Sequence, residues 1–344
     1  MRSWRTLWRA SMREARRLKV EGAVLATQCG RFRGVGGALA TLLMGAWILC
    51  ASGAICPVQA QESAPRGDLS GFGEQAVEVF VDVERARTLI AEGAAVLDAR
   101  EASDFRRGHL PGAANVPWTT LVSGEQQGAL AGDAHLEVRL REAGVSNGRP
   151  VVVYGGWRGP GTWGEEGRLH WTLEYLGHER VYVLWGGIQA WEGAGHELES
   201  GAQADRSAGH FEVRRREAYR ATTAEVQAAL SRDDVALLDT REAEEYGGKV
   251  KYGESRAGHI PGAQHLWWEE LFEGRKLKSR RAIEAMLKAR GIERTDEVIA
   301  YCTGGIRSGF VYSVLRALGY GQVANYDASM WEWTRQSDRP VRAP

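Results

Sequence analysis

Cysteine is almost missing from this sequence: four in 344 residues, three of them (Cys29, Cys50 and Cys56) near the start. Beyond residue 60 only Cys302 remains, which excludes an internal disulfide framework and leaves one thiol. Net charge is missing too, with 44 basic residues against 44 acidic. The balance is uneven, because residues 1–60 hold nine Arg or Lys and two acids, so the remaining 35 bases and 42 acids sum to about −7. An acidic globular part lacks the basic face that nucleic-acid binding needs. Also absent from the sequence is any His, Cys and acid cluster with metal-ligand spacing, so no metal site is expected. What is present, 44% apolar and 26% charged residues, describes a globular protein with enough length for two domains.

The basic start runs into Ala38–Ile55, an apolar stretch without a charge, then Val58-Gln59-Ala60 and a polar run. A basic region, an apolar region and an A-x-A-like site together read as a secretory signal over residues 1–60. Uncleaved, the apolar run over 38–55 is just long enough to tether the protein to a membrane. A lipoprotein reading of Cys56 is disfavoured by Ile55, where a small residue is required. Either way the globular part is expected outside the cytoplasm, periplasmic in a bacterium.

The chain repeats itself. Residues 96–118 (VLDAREASDFRRGHLPGAANVPW) and 237–268 (LLDTREAEEYGGKVKYGESRAGHIPGAQHLWW) share D-x-R-E, an aromatic four residues after the Glu, and G-H-[LI]-P-G-A. The second copy carries about nine extra residues around Gly247–Ser255. Later, Val151–Gly155 (VVVYG) parallels Val298–Cys302 (VIAYC), each before a Gly-rich loop and a helical pattern. The offset from Asp98 to Asp239 is domain-sized, so two homologous domains are expected, 80–198 and 216–339, joined by a small, polar linker at 199–215. Short strands apolar on both faces, alternating with helical patterns, give an α/β fold with a parallel sheet flanked by helices in each domain. In the second copy helices are expected at Ala224–Ser231, Arg280–Arg290 and Ser308–Leu318, and strands at Val235–Asp239, Val298–Tyr301 and Gln322–Tyr326.

Cys302 directly follows a buried strand and opens the loop Thr303-Gly304-Gly305-Ile306-Arg307-Ser308-Gly309, which enters a helix. Strand carboxyl ends are where open parallel sheets bind ligands. Two glycines let such a loop turn its N–H groups inward as an anion nest backed by the helix N-terminus. A thiol at that focus, with Arg307 near it, is expected as thiolate, the form that attacks sulfur. Cysteine phosphatases place Arg six positions after Cys; here Arg307 stands at five and Ser308 at six. The smaller loop suits one added sulfur atom better than a tetrahedral phosphate. A buried, inert cysteine is the plainer alternative that these surroundings argue against.

D-x-R-E, G-H-I-P-G-A, the C-T-G-G-I-R-S loop and a closing Tyr326–Trp333 (YDASMWEW) together resemble the rhodanese superfamily. The similarity is to tandem-domain thiosulfate or 3-mercaptopyruvate sulfurtransferases and covers about residues 80–338. The resemblance implies a catalytic C-terminal domain and an inactive N-terminal one, which fits Gly155 standing where the other copy has Cys302. It also implies double displacement: Cys302 takes sulfur from a small-molecule donor as a persulfide and passes it to a thiophilic acceptor such as cyanide or a thiol. The chemistry belongs to sulfur itself, so no cofactor is required. The loop is similar to those of single-domain bacterial rhodaneses in which an Arg contacts the donor, so Arg307 is expected to favour the thiosulfate dianion. A second reading is a non-enzymatic module that hands its persulfide to a partner protein.

Substrate-binding candidates are therefore Thr303, Gly304, Gly305, Ile306, Arg307 and Ser308, with Arg241 and Arg256 as further cations for the donor. Against Arg241 stands a structural reading, an ion pair with Asp239 or Glu242, because Arg100 occupies the same motif in the other copy. Arg256 has its counterpart in Arg106. His109 and His259 read as parts of a Pro-Gly turn, and Asp327 and Ser329 as structural. Most of the 13 tryptophans read as packing residues, with Trp267 and Trp268 candidates for a pocket wall.

Overall fold

The computed structural model describes residues 79–124, 127–157 and 161–343. The expectations for a leader, a tether at 38–55 and the cysteines before Cys302 lie outside those residues. Within them the chain forms two all-parallel sheets of the same design. The first contains β1 (Phe80–Val81), β2 (Ala95–Asp98), β3 (Ala114–Asn115), β4 (Val151–Tyr154) and β5 (Val181–Leu184), in the order β1-β5-β4-β2-β3. The second contains β6 (Val235–Asp239), β7 (Gln264–His265), β10 (Glu297–Tyr301) and β11 (Val323–Asn325), in the order β11-β10-β6-β7. The place of β1 in this copy is reduced to one parallel bridge, Arg220 with Asn325. An antiparallel hairpin, β8 (Phe272–Glu273) with β9 (Lys276–Leu277), is an addition the sequence pattern did not announce.

Helices flank both sheets. The first half has α1 (Val83–Ala91), α2 (Ala102–Arg107), α3 (Asp133–Glu142), α4 (Glu165–Tyr175) and α5 (Gly187–Gly193). The second has α6 (Thr223–Ala229), α7 (Ala243–Tyr246), α8 (Arg280–Lys288), α9 (Ile306–Ala317) and α10 (Ser329–Trp333). Local chemistry explains several of the starts. Asp82 accepts from Arg85 N at α1, Thr222 and Glu225 form a capping box at α6, and Ser279 accepts from Ala282 N at α8. The central strands β4 and β10 are buried on both faces, as their Val, Ile and Tyr content requires. Each expected element of the second copy is present, with ends shifted by no more than two residues.

The repeated motifs have the same structural work in both halves. Arg100 pairs with Asp98 and donates to Gly108 O; Arg241 pairs with Asp239 and donates to Gly258 O. Tyr154 and Tyr301 hydroxyls accept from Leu110 N and Ile260 N. His109 and His259 stack on Phe105 and Tyr246 within the turn that follows.

The halves join through α4 and α9. Gly167 and Gly309 lie at their crossing: a Cβ on Gly167 would collide with Phe310, and one on Gly309 would sit 2.8 Å from Arg168 Cα. Ser313 Oγ lies 3.0 Å from His170 Nδ1 across the same seam. Around Phe310 the rings of Phe80, Trp157, Trp268 and Phe272 close in with centroids 5.5–6.4 Å apart, so one apolar cluster runs through both halves. Each such ring contributes roughly 1.5–3 kcal/mol by leaving water. The 199–215 segment has no regular structure but is strapped to the first half: Arg206 donates to Ala113 O, Gly209 N to Arg141 O, and Phe211 is fully buried.

Candidate active site

β10 ends at Tyr301, so Cys302 lies at the carboxyl edge of the second sheet's centre. The loop after it turns sharply because Gly305 adopts φ 81° as the N-cap of α9, a conformation glycine tolerates. That turn aims N–H groups at the sulfur: Gly305 N lies 3.1 Å from Cys302 Sγ. Ser329 holds the loop from the far side, its hydroxyl accepting from Cys302 N at 3.1 Å and donating to Tyr326 O. Ser329 has φ 52°, a strained value for a serine, at the turn that makes this contact possible.

The thiol is 1% exposed, and it forms the floor of a cavity of about 20 Å³ lined by Trp163, Tyr252, Thr303, Gly304, Ile306, Arg307 and Trp331. A space of that size holds about one water-sized atom. Burial alone pushes the thiol up, but Arg307 and the N–H groups of Ser308 and Gly304 outweigh it and hold Cys302 below the ordinary thiol range. Ser308 Oγ donates to Asn325 Oδ1 at 2.6 Å.

The Arg307 charge is not free. Its guanidinium binds Glu245 in a bidentate pair, 2.5 and 2.8 Å, and Nη2 also donates to Thr303 Oγ1 at 2.7 Å. Burial would raise Glu245, but Arg307 draws it down to about 2. The expected open cation for a donor dianion is thus a neutralised pair, with Tyr252 and Trp163 rings over it at 5.5 and 5.9 Å.

Six of the eight substrate-binding candidates, Thr303 to Ser308, are brought around the thiol. Arg241 and Arg256 are not. Arg241 is buried and bound to Asp239 and Gly258 O, the role Arg100 has in the half without a thiol. Arg256 caps the end of α10, donating to Thr334 O at 3.0 Å and Gln336 O at 2.6 Å. Both guanidinium groups are held by bonds within the fold, Arg241 by Asp239 and Gly258 and Arg256 by Trp333, Thr334 and Gln336, which accords with a structural reading of each. Trp267 and Trp268 stand apart as well; Trp268 packs on Phe272 and Phe310.

Three wall residues escaped the sequence reading. Tyr252 belongs to the extra segment of the second copy, whose presence in one half alone was the available signal; its hydroxyl donates to Glu242 Oε1 at 2.9 Å. Trp331 donates its indole N–H to Tyr252 O. Trp163 comes from the other half, at the end of the longer loop between β4 and α4, and its position over Cys302 depends on how the halves pack.

The equivalent corner of the first half is closed. Gly164, with φ 80°, caps α4 as Gly305 caps α9, so Glu166 occupies the position of Arg307. Glu166 is fully buried, neither carboxyl oxygen has a hydrogen-bond partner, and burial pushes it up to about 8. A Cβ at Gly155 would collide with that carboxyl, so the place of the thiol is filled.

Two parallel open sheets, one bearing a thiol in an amide-lined turn and one with the turn blocked, define a tandem-domain protein with one cysteine site among the described residues. The chain belongs to the rhodanese family: the rhodanese-like domain matches residues 82–194 and again 222–336. A thiosulfate sulfurtransferase of Pseudomonas aeruginosa is 33% identical over 253 residues, 72% of this chain and 90% of that one. One of Azotobacter vinelandii is 30% identical over the same shares. A sulfur carrier protein of Thermus thermophilus is 30% identical over 69% of this chain and 86% of its own. Among solved structures, an anaerobic ergothioneine biosynthesis enzyme from Chlorobium limicola shares the fold, with TM-score 0.72, 24% identity, 78% of this chain and 71% of that one.

Proposed function

We propose that this chain is a thiosulfate sulfurtransferase that carries sulfane sulfur as a persulfide on Cys302. The supporting observation is the thiol itself: held below its ordinary range, met by Gly305 N–H at 3.1 Å, and facing a cavity of about 20 Å³. A space for about one water-sized atom suits one added sulfur better than a tetrahedral anion. The Cys302 thiolate attacks the outer sulfur of thiosulfate; the S–S bond of the donor breaks, sulfite departs with the electron pair, and a Cys302 persulfide forms. Cyanide or a thiolate then attacks the outer sulfur, and Cys302 leaves as thiolate. Loop N–H groups meet the negative sulfur in both steps without reorganising.

The donor enters end-on, its terminal sulfur passing Trp163, Tyr252 and Trp331. Arg307 acts with Glu245 as a polar pair that fixes the loop and lowers the thiol, with Thr303, Gly304, Ile306 and Ser308 completing the enclosure. Purified protein should form thiocyanate from thiosulfate and cyanide, and Cys302→Ser should abolish it; activity surviving in that variant refutes the proposal. Comparing thiosulfate with 3-mercaptopyruvate under matched conditions identifies the donor.

A protein acceptor is a second reading, favoured by the sulfur carrier relative. A persulfide adduct stable by mass spectrometry, with negligible turnover on small acceptors, would identify that role. We also propose export by residues 1–60, with residues 38–55 the tether if uncleaved; fractionation of cells and sequencing of the mature N-terminus test it.

A further inference from the structure

The half without a thiol reaches the loop of the other half with one charged side chain. Arg168, on α4, is fully buried. Its Nη2 donates to Gly128 O at 2.6 Å, and its Nη1 approaches Gly304 O at 3.5 Å. The guanidinium lies over the Trp171 ring at 4.7 Å, and its Nε has no hydrogen-bond partner. Its counter-ion Asp327 is 3.9 Å away and already accepts from Arg220 Nε at 2.8 Å and Leu130 N at 3.0 Å. The fit to the loop is close, because a Cβ on Gly305 would collide with Arg168 Nη1. Gly305 is also the residue whose N–H meets Cys302 Sγ.

We infer that Arg168 is a positioning residue for sulfur transfer: the half lacking a nucleophile supplies a buried cation that seats the Gly304–Gly305 turn and offsets negative charge on Cys302. Burial draws Arg168 down to about 10, while Asp327 and Cys302 hold it up, so it stays charged at neutral pH. Arg307 acts more strongly on the thiol, yet its charge is bound bidentately to Glu245, whereas Arg168 shares a more distant carboxylate with Arg220. A buried charge at short range is little screened, so even a secondary cation matters there.

The inference rests on Cys302 as the sulfur-carrying thiol, but its main test does not need turnover. The pH dependence of Cys302 alkylation by iodoacetamide is measured on the full chain, Arg168→Gln and Arg168→Lys, with thermal unfolding confirming that each is folded. In Arg168→Gln the midpoint should rise by about one unit, and thiocyanate formation at pH 7 should fall about tenfold. Arg168→Lys should return the midpoint to the wild-type value while turnover stays several-fold low, since lysine cannot hold both carbonyls. A folded Arg168→Gln with lowered thermal stability and an unmoved midpoint overturns the inference and leaves Arg168 an interface residue. If Arg168→Gln does not fold, Arg168→Lys decides by turnover: a several-fold loss supports loop seating, and wild-type turnover overturns it. A wild type that alkylates as expected but forms no thiocyanate sinks the thiosulfate proposal, not this one.

Discussion

Replacing Glu166 by glutamine should stabilise the protein at alkaline pH and leave it little changed in acid. The carboxyl is fully buried without a hydrogen-bond partner and is raised from 4.5 to about 8. Burial is the main cause, with the Glu165 and Asp98 charges adding to it and Arg100 opposing. In the unfolded chain the same group ionises near 4.5, so between those values folding must take up a proton. Stability therefore falls as pH rises from about 4.5 to 8, the sign opposite to that of a salt-bridged carboxylate. A gap of about 3.5 units at 1.36 kcal/mol each gives, after partial ionisation is counted, about 3–4 kcal/mol between pH 5 and pH 8. Glutamine keeps the volume and removes the titration, so unsatisfied-amide costs cancel when its stability difference from wild type is compared at the two pH values. Chemical denaturation at pH 5 and pH 8 measures this directly. Parallel pH curves for the two proteins would refute the account of a neutral buried acid.

Glu245→Gln should cost about 3–5 kcal/mol, because it leaves the buried Arg307 without its carboxylate; denaturation midpoints report it. Trp163→Ala should speed modification of Cys302 by a bulky maleimide by at least about tenfold, since it removes a wall of the cavity; unchanged rates would mean access from another side. Gly167→Ala should destabilise by roughly 1–3 kcal/mol, read as a lower melting temperature, because its methyl meets the α9 backbone. Thiocyanate formation should decline as pH falls through the lowered value of Cys302, and a rate that rises in acid would exclude thiolate attack.

Much of this site is legible in the amino-acid sequence. Cys302 was marked by its place after a doubly buried strand and by the glycines that follow, both consequences of short-range geometry. Arg241 was ambiguous from sequence but not from comparison of the copies, since Arg100 makes the same bonds beside a blocked turn. Long-range facts were illegible. Nothing local in D-T-R-E-A-E-E-Y says that Glu245, and not Glu242 or Glu244, will meet an arginine 62 positions later. Trp163 and Arg168 could be placed only once the packing of α4 on α9 was known. The paired change, Arg307 with Glu245 in one half and Glu166 with Asp104 in the other, was visible in the letters but needed the shared N-cap glycines to align it.

The glycine crossing of α4 and α9 has a consequence for how selectivity is achieved. Backbones that meet with no side chain between them have no slack for opening and shutting, and a continuous apolar core behind them resists shear. Trp163, carried by one half over the thiol of the other, stands at a depth set by that crossing, so the width of the entry to Cys302 follows from how closely two glycines let the helices meet.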